Sequence, residues 1–223
     1  MKYKISLSIS ALCFFMALLI FLAGRAQSQE ALADRISPNI LRFHVLAESS
    51  RSDDQVLKLG VKNLVLDYVH RYADPEAGKE ELSLWLCENR SAIEDLSEQW
   101  LKSQGCTAPV QLELTRDYFP SKAYGDLVFP CGVYDAARIT IGSGKGRNWW
   151  CVLYPSLCFV DSVHAVVPAS SRRTLASQMS EADYHALLPR DAPQHAREDT
   201  SQNKKPEIQI KSRLLELISG CGS

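Results

Sequence analysis

The chain has 223 residues, of which 25 are Lys or Arg and 26 are Asp or Glu, so its formal net charge is −1 at pH 7. This length is enough for one good-sized hydrophobic core. The near balance of charge gives no strong electrostatic field toward nucleic acid or an acidic membrane surface, and no nucleic-acid partner is expected.

The N-terminus has the three parts of an export signal. Lys2 and Lys4 precede an apolar run over residues 5–24, and Ala26-Gln27-Ser28 then offers small residues suited to signal peptidase. The run of about 20 residues is also just long enough to span a bilayer, so a retained anchor is the alternative. Residues 1–28 are predicted to be a signal peptide or membrane anchor, and membrane contact is expected only there. Either way the rest of the chain leaves the cytoplasm.

The next segments predict a linker, a strand and two helical stretches. Residues 29–38 are interpreted as an exposed linker. The stretch "ILRFHVLA" (40–47) alternates, with Leu41, Phe43 and Val45 on one face and Arg42 and His44 on the other, as a strand does. A helix is predicted from Ser52 to the Asp74-Pro75 stop. A second helical stretch covers about 79–104 and could be interrupted near Arg90-Ser91.

Three further strands are predicted downstream, at "PVQLELT" (109–115), "YDAARITIG" (134–142) and "NWWCVL" (148–153). Helices between the first and second strands, followed by strands alone, favour an α+β fold. We therefore expect a mostly antiparallel sheet with two helices packed on one face, formed by residues 39–162.

The C-terminal part differs in character from this domain. Residues 163–188 are predicted to be a partly helical extension. Residues 189–206 are polar and contain Pro, which predicts a flexible linker, and residues 207–223 regain the apolar pattern of an amphipathic terminal segment.

The cysteines are interpreted in the light of export, because disulfides persist outside the cytoplasm. Cys151 and Cys158 are the nearest pair in sequence, and the intervening Leu153-Tyr154-Pro155-Ser156 supplies a turn that sets them opposite each other. A disulfide between them is predicted. The alternative is two buried free thiols, since unbonded cysteine packs well as a small hydrophobe. No pairing is assigned to Cys87, Cys106, Cys131 or Cys221.

No catalytic, cofactor or metal motif stands out. The chain has no H-E-x-x-H and no C-x-x-C zinc spacing, and "GSGKG" (142–146) lacks the phosphate-loop spacing. The chain is therefore expected not to be an enzyme. One alternative is a secreted cysteine hydrolase that pairs Cys151 with His164, and another is a cell-wall binding module that uses Trp149 or Trp150.

The adjacent tryptophans point to a contact with another protein. In a strand Trp149 and Trp150 face opposite ways, so only one need be buried and the other is expected to be exposed or half-exposed. Exposed aromatic residues beside Arg147 and Asn148 are typical of protein interfaces. Arg147, Asn148, Trp149 and Trp150 are therefore the predicted partner-binding residues.

Three stretches resemble the stage II sporulation protein R family of endospore-forming bacteria. They are "LRFHVLAESSRSDDQVLKLGVKNLVLDYV" (41–69), "DYFPSKAYGDLVFPCGVYDAARITIGSGKGRNWWCVLYPSLCFVD" (117–161) and, more loosely, "KSRLLELIS" (211–219). The resemblance implies a signalling protein that is secreted from the forespore into the space between the forespore and mother-cell membranes. Its implied partner is the membrane-bound aspartic protease, stage II sporulation protein GA, which processes pro-sigma E in the mother cell.

Overall fold

The computed structural model describes residues 2–158 and 167–188, apart from the side chains of residues 2–11 and 26. The predicted linker 189–206 and terminal segment 207–223 lie outside these residues. In chain order the elements are α1 (Lys2–Ile36), a 3-10 turn (Ser37–Asn39), β1 (Leu41–Leu46), α2 (Ser52–Tyr72), α3 (Lys79–Glu88), α4 (Arg90–Ser103), β2 (Val110–Phe119), β3 (Lys122–Tyr124), β4 (Leu127–Phe129), β5 (Gly132–Ile141), β6 (Asn148–Tyr154), α5 (Ala169–Gln178) and α6 (Glu181–Leu187). The α+β class predicted from the sequence is confirmed.

The main sheet has four strands in the order β2-β5-β1-β6, and a separate hairpin pairs β3 with β4. β5 is antiparallel to β2, and β6 is antiparallel to β1, whereas β1 and β5 run parallel. The parallel pair is possible because three helices and three strands separate β1 from β5 in the chain, which is the long connection that parallel strands need. The sheet is therefore mostly antiparallel, as predicted.

The helices α2, α3 and α4 cover the first face of the sheet, which carries Phe43 and Val45 of β1. The predicted interruption of the second helical stretch is present, because α3 ends at Glu88 and α4 begins at Arg90. α4 also protects the outer edge of β2: Glu94 accepts a hydrogen bond from the Leu112 N–H at 2.7 Å, and Glu98 accepts one from the Val110 N–H at 3.1 Å. Covered edge groups cannot pair with a foreign strand.

The second face of the sheet is also buried where it carries Arg42. This side chain is 0% exposed, and its Nε donates to the Cys151 carbonyl at 3.1 Å. The guanidinium carbon lies over three aromatic rings, at 4.5 Å from the centroid of Phe119, 5.0 Å from Tyr134 and 5.8 Å from Phe129. Burial lowers the Arg42 pKa from its ordinary value. The alternation predicted for β1 is correct, but both of its faces are buried.

The structure corrects the predicted linker at 29–38. α1 continues to Ile36, and its last turns bury Leu32, Ala33 and Ile36 in the core. Ala33 lies so close to Gly132 that a Cβ at that glycine would overlap it. The apolar side chains recur at helical spacing among polar residues, so the segment forms an amphipathic helix end instead of a solvated connection.

A buried lysine holds the exit from α1 against the sheet. Lys79 donates from Nζ to the Pro38 carbonyl at 2.7 Å and to the Asp135 carboxylate at 2.6 Å. The ammonium group thus satisfies one carbonyl that the 3-10 turn leaves free and one carboxylate of β5, which offsets the cost of its own burial.

The predicted extension at 163–188 is part of the core where the structure describes it, from residue 167 onward. Leu175 of α5 and Leu187 of α6 are each 0% exposed. Arg172 pairs with Asp126 in the β3–β4 turn, and Arg35 of α1 pairs with Asp183 of α6 at 2.8 Å. The two helices therefore join α1 and the hairpin on the second side of the sheet.

The α2–α4 contact supplies a test of this packing. A Cβ at Gly60 would overlap the Trp100 ring, so Gly60→Ala should lower the free energy of unfolding by about 1–3 kcal/mol, as overpacked cores do. Helix propensity alone acts with the opposite sign, since alanine stabilises a helix interior by about 1 kcal/mol over glycine.

Chemical denaturation measures which effect prevails. Asn63→Ala is the matched control, because Asn63 lies on the exposed side of the same helix. A Gly60→Ala protein more stable than the parent would show that Trp100 does not pack on α2 as described.

Candidate contact site on strand β6

The loop before β6 begins with two glycines in the left-handed region, Gly142 at φ 56° and Gly144 at φ 64°. A Cβ at Gly142 would overlap the Glu48 carboxylate, which accepts a hydrogen bond from the Ser143 N–H at 2.5 Å. Glycine at this position therefore permits both the turn and the close approach of Glu48. The segment "GSGKG" is a glycine turn between strands.

The second half of the loop is fixed on the connection between β1 and α2. The Gly146 N–H donates to the Ala47 carbonyl at 2.8 Å, and Lys58 donates from Nζ to the Arg147 carbonyl at 3.0 Å. Lys58 is 5% exposed, and burial, with a smaller contribution from Arg147, lowers its pKa. The backbone of the loop is held from both sides while the Arg147 side chain is exposed.

The register of β6 places the two tryptophans on opposite faces of the sheet, as predicted. Trp149 lies opposite Val45 on the helix-covered face, and Trp150 lies opposite His44 on the second face. Both side chains are half-buried, so the expected half-exposed tryptophan is present, whereas the expectation that the other would be buried is wrong. β6 is an edge strand, so each indole packs inward on one side and meets solvent on the other.

Trp149 is held between the sheet and α2. Its ring meets Phe43 edge-on, with centroids 6.0 Å apart and planes at 71°, and Lys62 Nζ lies 4.9 Å from its centroid. Burial lowers the Lys62 pKa. A cation over an indole favours one ring orientation by electrostatic attraction.

Trp150 is held on the second face by two rings. It lies flat on the His44 imidazole, with centroids 4.9 Å apart and planes at 5°, and the edge of Phe119 approaches at 4.8 Å. Aromatic pairs of this geometry add about 0.5–1.5 kcal/mol beyond the burial of their area.

His44 is itself fixed by hydrogen bonds at both ring nitrogens. Nε2 lies 2.9 Å from Asp117 Oδ2, and Nδ1 lies 3.1 Å from the Asn148 amide nitrogen. Burial lowers the His44 pKa below its ordinary value, Asp117 opposes that shift, and Arg138 adds to it. Asn148, predicted as a partner-binding residue, thus also orients His44, and its Oδ1 is buried with no hydrogen-bond partner in the described structure.

A chain of charges continues from Asp117 to the surface. Arg138 donates to both Asp117 oxygens at 3.1–3.2 Å and to Glu113 Oε2 at 2.6 Å. The Glu113 hydrogen bond is the main cause that raises the Arg138 pKa. The sequence shows no pattern that links these residues, because the link depends on the pairing of β2, β5, β1 and β6.

The predicted Cys151–Cys158 disulfide is present, with the two Cα atoms 5.5 Å apart. The Leu157 N–H donates to the Val152 carbonyl at 3.2 Å across the turn, which contains a cis Tyr154-Pro155 bond. Cys151 therefore lacks the free thiol that the hydrolase alternative requires. His164 lies outside the described residues. Among those residues Cys13, Cys87, Cys106 and Cys131 are free.

The arrangement is suited to binding a protein surface. In the described part of the chain, no group of three His, Cys, Asp or Glu side chains is placed to hold a metal ion. Two half-exposed indoles and an exposed arginine project from a backbone that hydrogen bonds and a disulfide hold in place. Rigid aromatic residues of this kind lose little conformational entropy on binding.

Comparison with known proteins gives matches of two kinds. A family model, described as "Stage II sporulation protein R", matches residues 37–164. The curated protein of Bacillus subtilis (strain 168) with the same description is 26% identical over 216 residues, which are 93% of this chain and 96% of that protein. No solved structure matches significantly. The family match spans β1 to β6 and includes all four residues of the predicted contact.

The disulfide gives a prediction for stability. Replacing Cys151 and Cys158 together by serine should lower the free energy of unfolding by about 2.5 kcal/mol, the chain-entropy value for so short a loop. Urea denaturation measures the change, and non-reduced peptide mapping of the parent identifies the bond.

The double variant Cys87→Ser/Cys106→Ser serves as a control, since both thiols are free in the structure. Free thiols at positions 151 and 158 in exported protein would contradict the assignment and would revive the hydrolase alternative.

Proposed function

The chain belongs to the stage II sporulation protein R family, and we propose that it is an exported signalling protein that activates a membrane-bound aspartic protease during sporulation. The observation that carries this proposal is the family match over residues 37–164, more than half of the chain. By resemblance to the family, the protease is stage II sporulation protein GA and its substrate is pro-sigma E.

The N-terminal helix supports the proposed location between the forespore and mother-cell membranes. One helix of the described residues, near the N-terminus, is long and apolar enough to cross a membrane by length and composition. A signal sequence has the same properties. Cleavage at Ala26-Gln27-Ser28 would leave Leu32, Ala33 and Ile36 in place, so the folded core is compatible with either a cleaved signal or a retained anchor.

A protein that activates a protease by binding alone must have different affinities for two states of that protease. A ligand shifts its partner toward the active state only if it binds that state more tightly than the inactive one. We propose that this protein binds the active arrangement of the protease through Arg147, Asn148, Trp149 and Trp150. The half-exposed indoles and the exposed guanidinium support this assignment, since Trp and Arg predominate among energetically important interface residues.

Reconstitution tests the proposal. The protein, the protease and a pro-sigma substrate are expressed together in a host that has none of them, and processing is followed with and without the protein. We expect processing to depend on it. Processing at the same rate in its absence would contradict the proposed function.

Substitutions in the same system test the contact site. Trp150→Ala and Arg147→Ala should each weaken binding by about 2 kcal/mol, roughly thirtyfold, as truncated interface anchors do, while the proteins remain folded. Leu84→Ala is the matched control, because Leu84 is 65% exposed but lies on α3.

Normal signalling by the folded Trp149→Ala, Trp150→Ala and Arg147→Ala proteins would exclude this surface as the contact. Perturbation of tryptophan fluorescence by soluble wall fragments would instead favour the cell-wall binding alternative.

A further inference from the structure

The Trp150 indole lies parallel to the His44 imidazole and packs on it. Trp150 and His44 lie opposite each other in the β6–β1 register, with their rings stacked at 4.9 Å and 5°. Phe119 meets each of these rings edge-on, at 4.8 Å from Trp150 and 5.1 Å from His44. A tilt of the imidazole would therefore separate the stacked rings or move the indole with it.

The imidazole is held in one plane by contacts at both ring nitrogens. Asn148 presents its amide nitrogen, which can only donate, to Nδ1 at 3.1 Å. With the amide in this orientation Nδ1 is the acceptor and the ring proton is on Nε2, which lies 2.9 Å from Asp117 Oδ2. His44 is 3% exposed, and in the described structure the charged groups that act on it are Asp117 of β2 and Arg138 of β5.

A second proton on His44 is incompatible with this arrangement. The new Nδ1–H would face the Asn148 amide N–H, so two donors would oppose each other. The amide would have to turn and present Oδ1, the buried oxygen that has no partner in the described structure. Protonation of His44 therefore turns the amide of Asn148, a residue of the proposed contact site. It also places a charge on a ring that is 3% exposed, and the cost of burying that charge favours an opened arrangement in which the imidazole meets water and no longer supports Trp150.

We propose that His44 is a positioning residue of the contact site: in its neutral form it orients Trp150 and Asn148 for the partner, and protonation releases both side chains. This inference rests on the proposed function, because it assumes that β6 meets the protease. Asp117 holds the imidazole directly. Arg138 and Glu113 act indirectly, because Arg138 binds Asp117 and Glu113 binds Arg138.

The sign of the pH effect follows from the buried state of the ring. Burial lowers the His44 pKa in the folded protein, so the unfolded chain binds the proton more readily. The stability that His44 contributes is complete above its ordinary pKa of about 6.5 and falls as the pH drops from there toward the lower, folded-state value. Binding through Trp150 should weaken as the pH falls through that folded-state value, by at most about tenfold per pH unit, the limit for one proton.

The experiment compares full-length parent protein with His44→Phe and Asn148→Asp between about pH 5 and pH 8, the range in which histidine titrates. Affinity for membranes that carry the protease is measured beside the near-UV circular dichroism of the free protein. Trp150→Phe identifies the part of that spectrum that belongs to Trp150. The phenyl ring of His44→Phe preserves the stacking but does not titrate.

For the parent we expect the Trp150 signal and the affinity to decline together at low pH. His44→Phe should lose this coupled step, and Asn148→Asp should shift it to higher pH, because a carboxylate stabilises the imidazolium. If a variant does not fold, the near-UV circular dichroism of the parent protein still tests the inference, because that spectrum is recorded on the parent.

A Trp150 signal in the parent that does not change with pH, or a step that persists in folded His44→Phe, would overturn the inference. A parent protein that fails to bind the protease at any pH would contradict the proposed function instead, and the spectral arm would still test whether His44 controls Trp150.

Discussion

Strand β1 buries both of its faces, and on one of them it carries a guanidinium and an imidazole. The rest of the molecule is arranged so that both faces of this strand are covered. The Arg42 charge has no carboxylate partner in the described residues, and two of its nitrogens make no hydrogen bond there. The rings of Phe119, Phe129 and Tyr134 supply the compensating attraction through their faces. Phe129 belongs to β4, so the β3–β4 hairpin takes part in covering this buried cation.

The same face of β1 connects the folded core to the proposed contact site. His44 is two residues from Arg42, so its side chain points to the same side of the sheet, where it supports Trp150. On the other face Phe43 supports Trp149. The edge position of β6 leaves both indoles half exposed, whereas Glu94 and Glu98 cover the opposite edge at β2. The molecule therefore presents one aromatic edge, at which a residue of the buried strand β1 supports each indole.

The sequence predicts the elements of this fold better than their associations. Periodicity located β1, α2, the interrupted second helical stretch and β6, because side-chain alternation and helical spacing are local properties. The linker predicted at 29–38 is wrong because the few apolar residues at the end of α1 find their partners only in the folded protein, as Ala33 does at Gly132. The contact of Asp117 with His44 was missed for a similar reason: 73 residues separate them, and only the strand order brings them together. The Cys151–Cys158 bond was predictable because a short turn determines its geometry.

The proposed function requires the edge strand β6 and its loop to bind the protease. Hydrogen–deuterium exchange of the protein, alone and with membranes that carry the protease, measures this most directly. We expect binding to slow amide exchange in residues 144–151, while the amides of α3 on the helix side exchange at unchanged rates. Protection confined to α3 or to other helices, with exchange at β6 unchanged, would contradict it.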